Sequence, residues 1–272
     1  MAKAELPLIM EANQLEQELG NKKLLLVDLC QPQTYIQFHI PGAVYLEYAW
    51  IVRSDEHCGG LLPTETQLSN VLSALGLTPE THVVAYDDEG GGRACRFLWT
   101  LDVVGHTHYS LLNGGLHAWA NEGHPVSSEI DYPRKGKYQA SIHDDPLADK
   151  QYILSHLKDK KVKLLDTRSP QEYAGTKVYA KRGGHIPGAI NIEWTEAMDT
   201  QRNMRLKQES ELRAMLEGHG ITPDKEIITH CQTHHRSSHT YIMLKSLGYE
   251  NIKGYPGSWA EWGNDDNVPV EN

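Results

Sequence analysis

The chain is written twice, and this duplication limits its possible folds more than any other feature. Residues 24–35, LLLVDLCQPQTY, run parallel to 162–173, VKLLDTRSPQEY, with Asp28 on Asp166, Pro32 on Pro170 and Tyr35 on Tyr173. His39-Ile-Pro-Gly-Ala43 then parallels His185-Ile-Pro-Gly-Ala189, and Gly76-Leu-Thr-Pro79 parallels Gly220-Ile-Thr-Pro223. The apolar run His82–Tyr86 matches Glu226–His230, and Gly114-Gly-Leu-His-Ala-Trp119 corresponds to Gly257-Ser-Trp-Ala-Glu-Trp262. Markers kept in one order at a period of about 140 residues, the size of a domain, indicate duplicated domains and not a solenoid.

Within each copy, short apolar runs alternate with longer amphipathic ones. Leu24–Asp28 and Val83–Asp87 in the first copy, and Val162–Asp166 and Ile227–Cys231 in the second, have the composition of buried parallel strands. Helical spacing is expected over Thr66–Leu75, Arg93–Val104, Gln208–Glu217 and Ser237–Leu247. Strands alternating with helices predict an α/β fold, two tandem domains each built on a mostly parallel sheet flanked by helices. The polar, aperiodic stretch from about Pro125 to Asp149 contains Pro133 and Pro146 and is expected to join them. The resulting division is 1–130, a linker at 131–148, and 149–272.

The 272 residues carry a formal charge of −10 and no Lys/Arg-rich tract, which argues against a nucleic-acid partner. No stretch approaches membrane-spanning length, and the N-terminal residues have no apolar signal region, so no membrane partner and a cytoplasmic location are expected. Four cysteines (Cys30, Cys58, Cys95, Cys231) are widely spaced without a C-x-x-C, the pattern of free thiols in a reducing compartment.

One of these thiols stands apart. Cys231 ends an apolar run, Arg236 follows after Gln232, Thr233, His234 and His235, and a helical pattern begins at once. A short loop between a buried strand and a helix N-terminus points the backbone N–H groups of residues 232–236 into one small cup, and the helix dipole adds partial positive charge. A thiol there ionises below its free value of ~8.5. Arg236 adds a permanent cation at the rim and donors for an oxyanion. In the first copy the matching loop, Asp87-Asp-Glu-Gly-Gly-Gly-Arg93, has Asp87 or Asp88 where the cysteine stands. A carboxylate cannot accept and pass on a sulfur atom, so catalysis is expected in the second copy alone.

Two cysteine-loop families are similar to this arrangement. Tyrosine and dual-specificity phosphatases, and arsenate reductases of related type, place five residues between cysteine and arginine, whereas this chain has four. The shorter loop fits a single sulfur better than a tetrahedral phosphate, and the chain resembles the rhodanese (thiosulfate sulfurtransferase) family in its tandem-domain form. The resemblance extends over nearly the whole chain, through Asp166-Thr-Arg168, Gly184-His-Ile-Pro-Gly188 and Gly257-Ser-Trp-Ala-Glu-Trp262. It implies a sulfurtransferase in which Cys231 takes sulfur from a small anionic donor such as thiosulfate and passes it, as a persulfide, to cyanide, a thiol or dithiol, or an acceptor protein. It also implies that Asp166 helps hold the active loop and that Arg168 is structural. No cofactor and no metal are required. A substrate-binding arginine is common in the family six residues after the aspartate, where this chain has Glu172. The Gln-Thr-His-His interior matches neither the basic thiosulfate-type loop nor the glycine-rich loop of 3-mercaptopyruvate sulfurtransferases, the alternative donor class.

Further candidates follow from position. His234 and His235 are either switchable charges at the loop mouth or solvated loop histidines. Joined with Cys231 and His239 they have zinc-like spacing, but side chains around an inward-pointing N–H cup splay apart. Trp194 is a pocket wall or a half-buried core indole. Lys181 and Arg182, in an insertion absent from the first copy, are either an anion-attracting rim or solvated charges. A monomer is the default for a chain with an internal pseudo-repeat.

Overall fold

Each copy folds around a short sheet in which every strand pairs in parallel, as apolar runs of four or five residues connected by helices require. The structure is a computed structural model describing residues 6–56, 58–133 and 135–272. The first sheet is ordered Ile9–Met10, Tyr109–Leu112, His82–Tyr86, Leu24–Asp28, Val44–Tyr45. The second is ordered Ile252–Gly254, Glu226–His230, Val162–Asp166, Ile190–Asn191. A parallel bridge from Leu147 to Gly254 takes the place that Ile9–Met10 fills in the first sheet.

Helices occupy Glu65–Ala74, Gly92–Val103, Glu209–Gly218 and Arg236–Ser246, each displaced by one residue from the sequence expectation. The strands at His82–Tyr86 and Glu226–His230 also end one residue earlier than expected. That residue matters, because it frees Asp87 and Cys231 from the ladder as the first residues of their loops. Register aligns the loops without ambiguity. Asp28 pairs with Tyr86 and Asp166 with His230, so Asp87, not Asp88, is the counterpart of Cys231.

The repeated motifs have one structural role in both copies. His39 stacks on Tyr35 at 4.1 Å and His185 on Tyr173 at 3.7 Å, and each tyrosine hydroxyl donates to the alanine carbonyl that closes its motif, Ala43 or Ala189. Trp119 and Trp262 are fully buried, with their indole N–H groups donating to the carbonyls of Pro125 and Pro269. Removing such a side chain costs about 3–5 kcal/mol. Around them pack Met10, Leu26, Val84, Tyr86 and Leu112 in the first core, and Leu164, Ile186, Ile228, Tyr255 and Trp259 in the second.

Among the described residues, one compact unit comprises those up to Ile51, Pro63–Ile142 and Asp199–Leu206; the other comprises Val52–Leu62, His143–Met198 and Lys207–Asn272. This division crosses the linear cuts at 130 and 149 expected from the sequence. The expected linker, 131–148, has no helix or strand beyond the bridge at Leu147, but it is not a free tether. Gly136, Tyr138 and Ala140 donate backbone hydrogen bonds to Ser73 and Ser69 of the helix Glu65–Ala74. Polar composition concealed this docking, since the ties run through main chain and serine hydroxyls. No described helix is long and apolar enough to cross a membrane.

Candidate active site

Cys231 is wholly buried at the base of a loop spanning 231–235 that leads into the helix Arg236–Ser246. Burial opposes ionisation of its thiol, but the Arg236 guanidinium, the Ser237 hydroxyl and the N–H groups of Ser237 and Thr233 outweigh it and lower the pKa. The other thiols move the opposite way. Burial pushes Cys58 up to about 12, and burial together with nearby carboxylates raises Cys30 and Cys95 further. Only Cys231 is poised as a thiolate.

The first copy shows what such a loop holds. The buried Asp87 carboxylate accepts from the N–H groups of Glu89 (3.0 Å), Gly91 (2.8 Å) and Ala94 (2.9 Å), so its own side chain fills the cup. The fold therefore builds an anion site at the end of this strand in both copies, occupied by oxygen in one and by sulfur in the other.

The loop is pinned from outside by its own domain. Trp259 N–H donates to the Cys231 carbonyl (3.0 Å) and Ala260 N–H to the Gln232 carbonyl (2.9 Å). Cys231 N–H donates to the Ser258 hydroxyl, which donates in turn to the Tyr255 carbonyl. Gln232 reaches the Tyr179 carbonyl through Nε2. Gly60, at φ +84°, lies so close to Thr233 that a Cβ there would collide with the Thr233 carbonyl oxygen.

Several expectations are corrected. His234 is neither at the mouth nor solvated: it is buried in a left-handed conformation (φ 55°), with Nδ1 2.7 Å from Ser237 Oγ. If that Oγ–H donates to the thiolate, His234 Nδ1–H is the donor to Ser237. His235 is half-buried, its ring 6.2 Å from Trp194. Trp194 is also half-buried and meets the ring of His239 edge-on at 5.6 Å, which places it against the first turn of the helix. Among the described residues, no group of three or more His, Cys, Asp and Glu is arranged to hold a metal.

Arg182 does not form an anion rim. Its guanidinium donates to the carbonyls of Val268, Trp262 and Asp265 and ties the insertion to the C-terminal segment. Asp166 makes no direct hold on the loop interior. Its carboxylate accepts from Arg168 N–H and guanidinium, at 2.6 Å from Nη2, and lies 4.0 Å from His230. The loop base is held instead by Thr167, whose N–H donates to the His230 carbonyl. Arg168 is structural as expected, bonded to Asp166 and the Gly184 carbonyl and lying 4.4 Å over the Trp259 ring.

Glu172, the apparent departure from pattern, is the partner of Arg236: Nη1 and Nη2 each donate to one carboxylate oxygen, at 2.7 and 2.9 Å. Burial alone would raise the Glu172 carboxyl, but Arg236 and Ser169 hold it down at about 2.

Sequence reasoning missed Ser237 and Ser258. The signal for Ser258 was present, because the first copy has Gly115 there, at φ 53°, and Ser258 adopts φ 51°. A left-handed non-glycine residue costs about 1–2 kcal/mol, tolerated here where its hydroxyl meets Cys231 N–H. Both Ser258→Gly and Ser258→Ala remove the hydroxyl, and Ser258→Gly is expected to be about 1 kcal/mol the more stable in urea unfolding, because it alone relieves the left-handed cost. Equal stabilities would mean that the backbone carries no strain.

The pKa order has a measurable sign. The pH-dependent difference in thiolate ultraviolet absorbance between the parent protein and Cys231→Ala is expected to titrate below the ordinary thiol range. Between its folded and unfolded values, Cys231 binds fewer protons folded than unfolded. The stabilising effect of Cys231 ionisation therefore grows as pH rises through that window, and is lost as pH falls through the folded value.

The rhodanese-like domain family matches residues 11–122 and 149–265. The thiosulfate sulfurtransferase of Azotobacter vinelandii is 48% identical over 268 residues, covering 98% of both chains. The sulfur carrier protein TtuD of Thermus thermophilus is 36% identical over 250 residues, covering 85% of each. The 3-mercaptopyruvate sulfotransferase SseA from Escherichia coli has the same fold, with a TM-score of 0.82 at 24% identity over 93% of this chain and 99% of that one.

Proposed function

The chain belongs to the rhodanese-like domain family, and from that premise we propose that it is a thiosulfate sulfurtransferase carrying sulfur on Cys231. The observation that carries the site assignment is the cup itself: a buried thiol with lowered pKa, set among N–H and O–H donors and beside Arg236. The Cys231 thiolate attacks the outer sulfur of thiosulfate, the S–S bond breaks, and sulfite leaves with the bonding pair. The Cys231 persulfide, held as an anion by the Thr233 and Ser237 donors, then loses its outer sulfur to cyanide as thiocyanate, and the thiolate returns. Charge and atoms balance in both half-reactions. A thiol, a dithiol or an acceptor protein would serve in place of cyanide, and the sulfur carrier name of one relative supports a protein acceptor.

The second domain is catalytic in this reading, and the first, with Asp87 filling its cup, is structural. A monomer suffices, because every group named in the cup comes from one domain of one chain. Four free cysteines fit the reducing cytoplasm. Thiosulfate should release one sulfite per chain and add one sulfur atom to the intact mass, and cyanide should remove that sulfur. A chain that gains no sulfur would exclude the assignment.

A further inference from the structure

Among the described residues, the guanidinium at the cup is that of Arg236, and it is already paired with a carboxylate. Both terminal nitrogens of Arg236 are bonded to Glu172, whose side chain is 3% exposed. Arg168 is committed to Asp166 and Arg182 to backbone carbonyls. Thiolate, guanidinium and carboxylate together leave the cup with a single net negative charge before any donor arrives. A carboxylate fixed there repels a dianion about twice as strongly as a monoanion at the same distance.

We infer that Glu172 is a specificity-determining residue that clamps Arg236 and biases the site toward sulfur donors of low charge, monoanionic thiosulfonates and organic persulfides, over dianionic thiosulfate. This deepens the sulfurtransferase reading and rests on it. The clamp has two effects. It positions Arg236 beside Cys231, where the cation favours the thiolate, and it commits two of the five guanidinium N–H donors, so that fewer are left for an incoming oxyanion. Glu172 acts through Arg236 and by its own charge, so it is a positioning residue and not a catalytic one. The capping hydrogen bonds from Ser169 N–H and Oγ–H to Glu172 Oε2 fix the carboxylate in this role. The first copy has Thr34 at the matching position, with its own loop arginine, Arg93, paired to Asp88 and Glu89. The clamp from this helix is thus a feature of the thiol-bearing copy.

The test compares thiosulfate with benzenethiosulfonate, a monoanion that delivers sulfur to Cys231 with release of benzenesulfinate, using cyanide as acceptor. In Glu172→Gln, which keeps the shape and removes the charge, the KM for thiosulfate is expected to fall about tenfold and that for benzenethiosulfonate about threefold, with kcat less affected. Glu172→Asp should keep the parental donor ratio. Glu172→Thr, for which the first copy supplies the precedent, should shift the ratio in the same direction as Glu172→Gln and serves if the glutamine variant does not fold. A donor ratio unchanged in both uncharged variants, or shifted against thiosulfate, overturns the inference. Failure of the parent protein to gain sulfur would instead overturn the reading beneath it.

Discussion

Cys231→Ala is expected to lose thiosulfate-to-cyanide sulfur transfer by roughly three orders of magnitude or more, the scale seen when a covalent nucleophile is removed. No other thiol can replace it. Cys30, Cys58 and Cys95 are buried and their pKa values are raised, so none presents a thiolate near neutral pH. Cys231→Ser should be equally inactive, because a hydroxyl neither ionises in this range nor holds a transferable sulfur. Both variants should fold, since Cys231 contributes to the loop through its N–H and carbonyl, which a substitution leaves in place. Steady-state thiocyanate formation checks this, and residual activity within tenfold of the parent would place the carrier elsewhere.

Arg168→Ala is expected to cost about 3–5 kcal/mol of stability, as much as removing a buried core tryptophan. Asp166 and Arg168 are 0% and 1% exposed and share a two-point ion pair, so truncating the arginine leaves a carboxylate sealed from water. The loss should spread to the loop. Arg168 lies on Trp259, and Trp259 N–H holds the Cys231 carbonyl. Replacing the pair together, as Asp166→Leu with Arg168→Met, should recover much of the stability, since no buried charge is left unpaired. Urea unfolding checks both, and a loss below 1 kcal/mol for Arg168→Ala would show that water reaches Asp166.

The duplication, the parallel sheets and the place of Cys231 were legible because they rest on local patterns: apolar runs, paired motifs, and a cysteine ahead of a helix. Less was legible wherever a long side chain chooses its partner through space. Glu172 stood out as an anomaly, but its pairing with Arg236 depends on a helix of four residues, Pro170–Tyr173, being brought beside the loop. Arg182 resembled a rim cation because carbonyl acceptors leave no signature in a sequence. His234 resembled a solvated residue because its burial follows from a single left-handed backbone turn. The segment 199–206 joins the first unit through Arg205, which donates to Glu11 at 2.7 Å and to Glu122 at 2.9 Å, contacts that link residues over 80 positions apart. Of the two serines of the site, Ser258 was visible only by comparison of the copies and Ser237 left no signal, since a hydroxyl carries no periodicity.

The central claim is that one buried thiol, held by an N–H cup, carries the sulfur. It is tested most directly by locating the sulfane sulfur after thiosulfate treatment, through alkylation of persulfides and peptide-level mass spectrometry. The expected result is a single modified peptide, with the extra sulfur on Cys231 and lost on addition of cyanide. Sulfur on Cys30, Cys58 or Cys95, or on no cysteine while thiocyanate is still formed, would contradict it.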